Sequence, residues 1–332
     1  MGSDDVTEIV APEGGAMRDL LRVPSDGTPV DLDAIGPRST PGLPAAAGSG
    51  GARKAWARGQ VEAMGGELGR QQEMLFATAK AAADSHAPAS APTTGGPKLG
   101  AGRPGRVLLV LQAMDCGGKD GTIKRVAGAM NPLGLHIRSF GPPTREELRH
   151  DFLWRIRRSL PPPGYVGIFN RSHYEDVLVA RVDGLVPEAT WRARYEEIND
   201  FERELTSGGV TLVKVMLHIS REEQGERLSE RLTDPRKYWK YNPGDIDARA
   251  RWDDYRAAYA EALARCGSDA APWFVVPADR KWYRDWAVAH LLRETFDGLD
   301  LGYPPADFDV ATERARLREV HAGEGERQVN DA

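Results

Sequence analysis

A glycine-rich turn that carries a lysine follows the most apolar strand candidate of this 332-residue chain. Residues 108–124 read LLVLQAMDCGGKDGTIK and pass from an apolar run through Gly117, Gly118 and Gly121 into a helical pattern. Backbone N–H groups of such a turn converge on a phosphate, and the N-terminus of the following helix adds positive potential. Lys119 adds a point charge. The turn therefore predicts phosphate binding, although a tight turn without a ligand is the alternative.

This turn departs from the pattern G-x-x-x-x-G-K-[ST] at two positions. Ala113 replaces the first glycine, and Asp120 replaces the Ser or Thr whose hydroxyl ligates Mg²⁺ beside nucleotide phosphates. A carboxylate is still a hard oxygen ligand for Mg²⁺, direct or through water, but it adds negative charge next to the phosphates. Asp115 adds a second carboxylate inside the loop. We therefore expect the phosphates to be arranged differently from those of ordinary P-loop enzymes.

A second cluster, residues 168–182 (IFNRSHYEDVLVARV), begins in a predicted strand. Doubly wound proteins bind ligands where such strands end, so four polar side chains are predicted there: Asn170, Arg171, Glu175 and Asp176. An acid at this edge is suited to hold Mg²⁺. The alternatives are helix-start acids stabilised by the helix dipole, and surface positions for Arg171 and Arg181.

A third cluster, residues 231–252, alternates basic and aromatic side chains between two turn signals (RLTDPRKYWKYNPGDIDARARW). This composition is typical of a mobile lid that closes over phosphates and excludes water. The alternatives are a solvated loop anchored by Trp239, or a surface for single-stranded nucleic acid, which lacks an accompanying aromatic platform.

Alternating strand and helix patterns after residue 106 predict the scaffold for these clusters. They indicate a P-loop kinase-like three-layer α/β/α sandwich with a mainly parallel five-stranded sheet and a helical lid. Strands are predicted at 107–112, 136–140, 165–169, 210–219 and 273–276. Helices are predicted at 119–130, 144–159, 187–207, 221–233, 247–266 and 282–296.

The first 105 residues have a different composition. Residues 36–51 and 85–105 are rich in Ala, Gly, Pro, Ser and Thr, which predicts flexible linkers because they can bury little apolar surface. Residues 54–83 form an amphipathic helical pattern that Gly65, Gly66 and Gly69 weaken, so that helix needs a docking surface. The expected division is an irregular extension (1–53), a helix (54–83), a flexible linker (84–105), the P-loop domain (106–303, lid about 231–252) and a tail (304–332).

The overall charge of −5 argues against nucleic-acid binding driven by bulk attraction. No apolar run approaches the roughly 18 residues of a membrane span, and the acidic start is unlike a secretory signal. Two cysteines, Cys116 and Cys266, fit a reducing compartment and provide neither a disulfide framework nor zinc-ligand spacing. We therefore expect a cytoplasmic protein with neither a membrane nor a nucleic-acid partner.

Five motifs in order over about residues 107–303 resemble polyphosphate kinase family 2, whose members move phosphoryl groups between inorganic polyphosphate and nucleotides. They are MDCGGKDGTIK, FGPPTREEL, FNRSHYEDVLVARV, DPRKYWKYNPGD and PWFVVPADRKWYRDW. The third is most similar to the subgroup that accepts nucleoside mono- and diphosphates. The resemblance implies reversible, direct in-line transfer that depends on Mg²⁺, with Mn²⁺ as a substitute, in a homo-oligomer (dimer or tetramer).

The resemblance also implies roles for individual residues. Catalytic roles fall to Asp115, which orients the acceptor, and to Lys119, Arg171 and Asp176; the implied metal ligands are Asp115, Asp120 and Asp176. Glu175 replaces the Asn of relatives restricted to diphosphates and so bears on monophosphate acceptance. The implied substrate-binding residues are Gly117, Gly118, Gly121, Thr122, Lys124, Asn170, Glu175, Arg181, Lys237 and Lys240.

A polyphosphate donor requires a row of basic side chains, because it offers neither base nor sugar for recognition. Residues 103–158 contain eleven Lys or Arg against five Asp or Glu, a local charge of +6 that leaves −11 for the rest. This imbalance predicts a basic channel on an acidic body.

The sequence departs from the family pattern at two places, and three alternative interpretations of its chemistry remain open. Cys116 replaces a small apolar residue of the relatives, and residues 85–105 are an insertion. His173 is in principle a phosphoenzyme nucleophile. The alternative activity is an ATP-dependent nucleoside monophosphate or thymidylate-type kinase, and the non-enzymatic alternative is a phosphate-binding module without turnover.

Overall fold

The computed structural model describes residues 8–84 and 105–330, with side chains up to His321. Five strands form one sheet in the order β2-β3-β1-β4-β5, and all neighbours run parallel. The strands are β1 (Arg106–Ala113), β2 (Leu135–Ser139), β3 (Val166–Asn170), β4 (Val210–His218) and β5 (Trp273–Pro277). All five predicted strands are confirmed.

Helices cover both faces of the sheet because each strand buries alternate side chains on opposite sides. From β1, Val107, Leu109 and Leu111 enter one core, whereas Leu108 and Val110 enter the other. The helices are α1 (Met17–Leu21), α2 (Gly50–Asp84), α3 (Lys119–Val126), α4 (Trp154–Arg157), α5 (Glu175–Val182), α6 (Glu188–Ser207), α7 (Arg221–Thr233), α8 (Gly244–Ala250), α9 (Trp252–Arg265), α10 (Lys281–Asp297) and α11 (Val310–Asn330). The predicted three-layer α/β/α fold is confirmed.

The strand order also locates a crevice at the carboxyl edge of the sheet. The chain leaves β1 for β2 on one side and later crosses from β3 to β4 on the other side. The loops that follow β1 and β3 diverge at this switch point, which is where open α/β sheets bind ligands.

Helix α2 docks on the sheet domain along α10 and the turn after α3. Gly65 makes this approach possible, since a Cβ built there would lie 2.4 Å from the Cβ of Ala129. Met64, Leu68 and Leu75 join the core on this face. The glycine at position 65 that weakens the helical pattern is thus the residue that permits close packing.

Three helix predictions need correction. Residues 144–159 form only a short 3₁₀ turn and the four-residue α4, although their apolar spacing predicts one helix. Asp151 accepts a hydrogen bond from the backbone N of Leu153 at 3.0 Å, which competes with helical pairing, and Leu148 is exposed. Residues 247–266 form two helices that Arg251 separates, and the helix predicted over 119–130 ends as a 3₁₀ turn after Val126.

Residues 36–51 pack against the domain, so the prediction of a flexible linker there is wrong. The carbonyl oxygen of Pro37 accepts a hydrogen bond from Asp279 N at 3.2 Å, and that of Pro41 accepts one from the Tyr283 hydroxyl at 2.7 Å. Backbone groups therefore anchor a segment that has few apolar side chains. Residues 85–104 of the second predicted linker lie outside the described residues.

The tail that follows the domain contains the exposed helix α11. Within residues 8–84 and 105–330, no helix has both the length and the apolar composition that crossing a bilayer requires.

Substituting Gly65 by Ala should separate α2 from the sheet domain, because the new methyl group would overlap Ala129. We expect the free energy of unfolding to fall by about 1–3 kcal/mol in a urea titration. Gly66→Ala is the matched control, since nothing lies within 4 Å of its Cβ position, and it should raise stability by about 0.5–1 kcal/mol. Equal effects of the two substitutions would contradict this account of docking.

Candidate active site

A cavity of about 600 Å³ opens at the carboxyl edge of the sheet, between the loop after β1 and the segment 235–245. Four carboxylates line it: Asp115, Asp120, Glu230 and Asp245. Eight cationic side chains surround them: Lys119, Arg171, Arg227, Arg231, Lys237, Lys240, Lys281 and Arg284. The excess of cations suits a ligand with several negative charges.

The loop after β1 places its backbone directly against Arg284. Gly118 has a φ of 104°, and a Cβ at this residue would lie 1.9 Å from Nη1 of Arg284. Only glycine combines this left-handed conformation with such a close approach. Arg284 is in turn oriented by Asp285, whose Oδ1 lies 2.6 Å from its Nη2. A fixed guanidinium therefore lies beside the glycine-rich turn.

Lys119 begins α3 and lies almost completely buried at the floor of the cavity. Its Nζ donates to the carbonyl oxygen of Ala113 at 2.9 Å. Burial lowers the pKa of Lys119, and the nearby positive charge of Arg171 lowers it further. An anion that binds here would favour the charged lysine and gain a strong electrostatic contact.

Arg171 follows β3 in a left-handed conformation, with a φ of 64°. Its backbone N donates to the carbonyl oxygen of Leu111 at 3.0 Å. Its guanidinium contacts Asp115 at 2.6 Å and Glu175 at 3.2 Å. Burial disfavours the charge, but Glu175 and Asp115 outweigh burial, so the pKa of Arg171 lies above its usual value.

A second cavity of about 200 Å³ adjoins the first, and Asp115, Arg171, Asn242 and Asp245 line both. Glu175 lines the second cavity. With its amide oriented to satisfy both partners, Gln112 donates to Oε1 of Glu175 at 3.0 Å. The second cavity also has a more apolar wall, formed by Leu178, Val179, Tyr255 and Tyr259. Arg171 therefore stands at the junction of two differently lined spaces.

A groove of about 1000 Å³ leaves the first cavity at Gly121, Lys281 and Arg284. It runs between α2, α3 and α10 and carries seven Lys or Arg against four Asp or Glu. Its cations are Lys54, Arg58, Lys124, Arg125, Arg280, Lys281 and Arg284. Only Lys124 and Arg125 belong to the basic segment 103–158, so the groove is formed mainly by cations from other parts of the chain, and the channel predicted from that segment stays a prediction.

The carboxylates fit a hard divalent cation such as Mg²⁺. Asp120 accepts a hydrogen bond from Asn170 at 2.7 Å, and Asp115 faces the same cavity. In the described part of the chain, no three His, Cys, Asp or Glu side chains cluster as a metal cage. Mg²⁺ usually takes one or two carboxylates together with substrate phosphates, so this donor set is suitable.

Most of the predicted site residues come together, but four lie elsewhere. Asp176 lines neither cavity and faces Arg155 at 3.6 Å and Arg194 at 3.4 Å. Arg181 also lies outside both cavities and pairs with Glu261 at 2.6 Å. Thr122 is buried, and Lys124 lines the groove. The roles predicted for these four residues stay predictions.

The remaining predicted residues line the first cavity, including Gly117, Gly121 and the two lysines of segment 235–245, except Glu175, which lines the second. Lys237 pairs with Glu230, and Lys240 lies over the ring of Trp239 with its Nζ 5.0 Å from the centroid. These lysines extend from a short 3₁₀ helix, Pro235–Lys240, whose aromatic residues Tyr238 and Trp239 are exposed. Such exposure is consistent with a segment that closes on a ligand.

Several cavity residues were not predicted. Arg227 and Arg231 lie four residues apart on α7, and this spacing on one helical face was a usable signal. Lys281 and Arg284 belong to the fifth motif, but the spacing of that motif does not by itself indicate what they contact. Asp245 ends the fourth motif, but only the fold places it in the cavity with Asp115, where its Oδ2 lies 3.0 Å from Nη1 of Arg231. Burial and the charge of Asp115 raise the pKa of Asp245.

The surroundings of Cys116 and His173 show which chemistry these two side chains can perform. Burial raises the pKa of Cys116 to about 11, so its thiol is protonated at neutral pH and packs as a small apolar group. His173 is buried beneath the sheet edge, where its Nε2 lies 3.2 Å from Glu202. This position does not expose the imidazole to the cavity.

Comparisons with known proteins agree with this geometry. Residues 101–301 match the family model described as "Polyphosphate kinase 2 (PPK2)". The chain is 52% identical over 199 residues to the AMP/ADP-polyphosphate phosphotransferase of Meiothermus ruber, covering 60% of this chain and 74% of that protein. It is 42% identical over 210 residues to the ADP-polyphosphate phosphotransferase of Rhodopseudomonas palustris, covering 60% and 73% of the two chains.

A solved structure extends the similarity beyond the matched core. The crystal structure of polyphosphate kinase 2 from Arthrobacter aurescens TC1 superposes with a TM-score of 0.80 at 45% identity. The match covers 92% of this chain and 97% of that one, so it includes much of the region before β1. These similarities show that the chain belongs to the polyphosphate kinase 2 family.

Proposed function

We propose that the protein transfers a phosphoryl group from inorganic polyphosphate to nucleoside mono- and diphosphates of the AMP and ADP type. The transfer is reversible, in-line and dependent on Mg²⁺. The observation that carries this proposal is the meeting of two unlike cavities at Arg171, with a basic groove that leads away from one of them. The names of the two similar phosphotransferases support both substrate classes.

The groove supports polyphosphate as the donor. A phosphate chain has no base or sugar, so its recognition depends on repeated contacts with cations along its length. The groove provides such contacts from Lys54 and Arg58 on α2 to Arg284 beside the phosphate-binding turn. A nucleoside triphosphate would leave most of this length without a partner.

The second cavity supports a nucleotide as the acceptor. Its polar end, at Asp115 and Arg171, suits a phosphate group, while Tyr255 and Tyr259 offer apolar surface to the rest of the molecule. Asp115 lines both cavities and can orient Arg171. An acceptor phosphate placed here would face a donor phosphate in the first cavity.

The chemistry demands alignment and charge neutralisation rather than a covalent enzyme group. A phosphoanhydride bond at the end of the polyphosphate breaks while a bond to an oxygen of the acceptor phosphate forms. Lys119 and Arg171 neutralise the charge that spreads over the transferring group, and Lys237 and Lys240 add charge when their segment closes and excludes water. When bound by Asp115 and Asp120, Mg²⁺ would offset phosphate charge on the donor side.

The purified protein, incubated with polyphosphate, Mg²⁺ and either AMP or ADP, should form ADP or ATP that chromatography detects. Lys119→Ala should lower kcat by about 10²–10³-fold, because the buried cation at the floor of the first cavity is lost. Its melting temperature should stay close to that of the wild type. Near-normal turnover of the folded variant would refute the role of Lys119.

A donor panel distinguishes the proposed activity from its alternatives. Long polyphosphate should support faster transfer than tripolyphosphate, because only a long chain fills the groove. Phosphorylation of AMP by ATP without polyphosphate would instead identify an ATP-dependent kinase. Tight binding of polyphosphate without any turnover would identify a binding module.

The carboxylate that binds Mg²⁺ can be identified from two matched substitutions. Asp120→Asn preserves the shape of the side chain but removes a charged oxygen ligand, so the Mg²⁺ concentration for half-maximal rate should rise about 10-fold or more. Asp176→Asn tests the metal-ligand role that the family resemblance implies for Asp176, which faces Arg155 and Arg194 outside the cavity; an unchanged Mg²⁺ requirement would exclude Asp176 as a ligand. A larger Mg²⁺ effect from Asp176 would reassign the site to that residue.

Glu175 should influence the choice between mono- and diphosphate acceptors. Glu175→Asn removes a negative charge that pairs with Arg171 in the acceptor cavity, so the position of Arg171 should shift relative to the acceptor phosphates. We expect kcat/KM for AMP to fall about 10-fold more than that for ADP. Steady-state kinetics with both acceptors measure this ratio, and equal losses would contradict the assignment.

A further inference from the structure

A buried network of charged and polar groups lies directly beneath the turn that carries Arg171. Lys214 on β4 is completely buried, and its Nζ lies 2.5 Å from Oε2 of Glu202 on α6. The same Nζ donates to the hydroxyl of Tyr174 at 3.0 Å and to the carbonyl oxygen of Cys266 at 2.5 Å. A lysine so deep in a core requires partners that hold its charge in one place.

Glu202 connects this lysine to the turn after β3. Its Oε1 accepts a hydrogen bond from the Tyr174 hydroxyl at 2.7 Å and lies 3.2 Å from Nε2 of His173. Burial opposes ionisation of Glu202, but Lys214 and His173 outweigh burial, so the pKa of Glu202 lies below its usual value. The carboxylate therefore stays charged and binds two successive residues of the turn.

The turn divides its side chains between the core and the site. Tyr174 points into the core against Trp273, with ring centroids 4.7 Å apart, while Arg171 and Glu175 line the acceptor cavity. Ser172 lies between Arg171 and Tyr174 in the chain. Its Oγ accepts a hydrogen bond from the backbone N of Tyr174 at 3.2 Å, which restrains the backbone between the site residues and the core residue. Any shift of the Tyr174 ring would therefore move the backbone that presents Arg171.

Arg171 is the part of the turn most sensitive to such a shift. Its φ of 64° lies in the left-handed region, which a side chain with a Cβ adopts only when its surroundings impose it. The ion pairs to Asp115 and Glu175 hold the Arg171 side chain on the cavity side of the turn. The buried network holds Tyr174 on the core side of the same turn.

We propose that Tyr174, Glu202 and Lys214 are positioning residues that hold Arg171 in its left-handed conformation at the junction of the donor and acceptor cavities. None of the three lines either cavity. The predicted change in kcat rests on the proposed function. The positioning role itself concerns the place of Arg171 and can be tested without substrate.

Tyr174→Phe is the mildest test, since it removes the hydroxyl and keeps the ring in the core. We expect kcat with polyphosphate and ADP to fall about 10-fold or more, with KM for both substrates changed less than about 3-fold, because orientation rather than binding is lost. Tyr195→Phe is the matched control on the same core. Its hydroxyl faces Arg181 and makes no hydrogen bond to Tyr174, Glu202 or Lys214, so its kcat should stay within about 2-fold of the wild type.

A double-mutant cycle separates positioning from general destabilisation. In an Arg171→Lys background, Tyr174→Phe should lower kcat by less than about 2-fold, because the residue through which it acts is already altered. The shift in melting temperature caused by Tyr174→Phe should be the same in both backgrounds. Full additivity in kcat would overturn the proposal.

Crystal structures of the wild type and Tyr174→Phe test the same point without activity. In the variant, Arg171 should leave the left-handed region or lose its contact with Asp115. An unchanged Arg171 in the Tyr174→Phe crystal would overturn the proposal even if kcat fell. An inactive wild type would count against the proposed function alone, since the crystallographic result would still decide the positioning role.

Discussion

The Arg171 guanidinium lies between Asp115 and Glu175, and this placement determines how the rest of the site can work. Two carboxylates hold one cation at the point where both cavities meet, so under the proposed function the same charge acts on donor and acceptor. A free arginine would extend into solvent and would lose rotamer entropy on binding phosphate. The ion pairs remove part of that loss in advance, and the left-handed backbone sets the direction of the side chain.

This arrangement also shows why an acidic protein can bind a polyanion. The charge of −5 describes the whole chain, whereas the first cavity contains eight cations and four carboxylates. Several of these cations have internal partners, such as Arg284 with Asp285 and Lys237 with Glu230. Paired cations hold their geometry without a ligand, and a phosphate chain adds to their contacts.

Sequence and structure differ most where local pattern and tertiary packing disagree. The apolar spacing of 144–159 is helical, but Asp151 competes for backbone donors and one apolar residue stays exposed. Residues 36–51 have the composition of a linker, yet backbone groups of Pro37 and Pro41 bind side-chain and backbone donors of the domain. Periodicity and composition report side-chain burial, and they do not detect hydrogen bonds made by the backbone itself.

The sequence by itself determined the order of strands and helices, the glycine-rich turn after β1 and most of its charged neighbours. These features depend on residues close together in the chain, where glycine freedom, strand alternation and helix spacing act locally. Tertiary structure alone decided that Asp176 faces Arg155 and Arg194, that Asp245 lines the same cavities as Asp115, and that Lys214 binds Tyr174 in the turn that carries Arg171. Adjacent acids at a helix start point in different directions, and long-range packing determines which of them reaches the ligand.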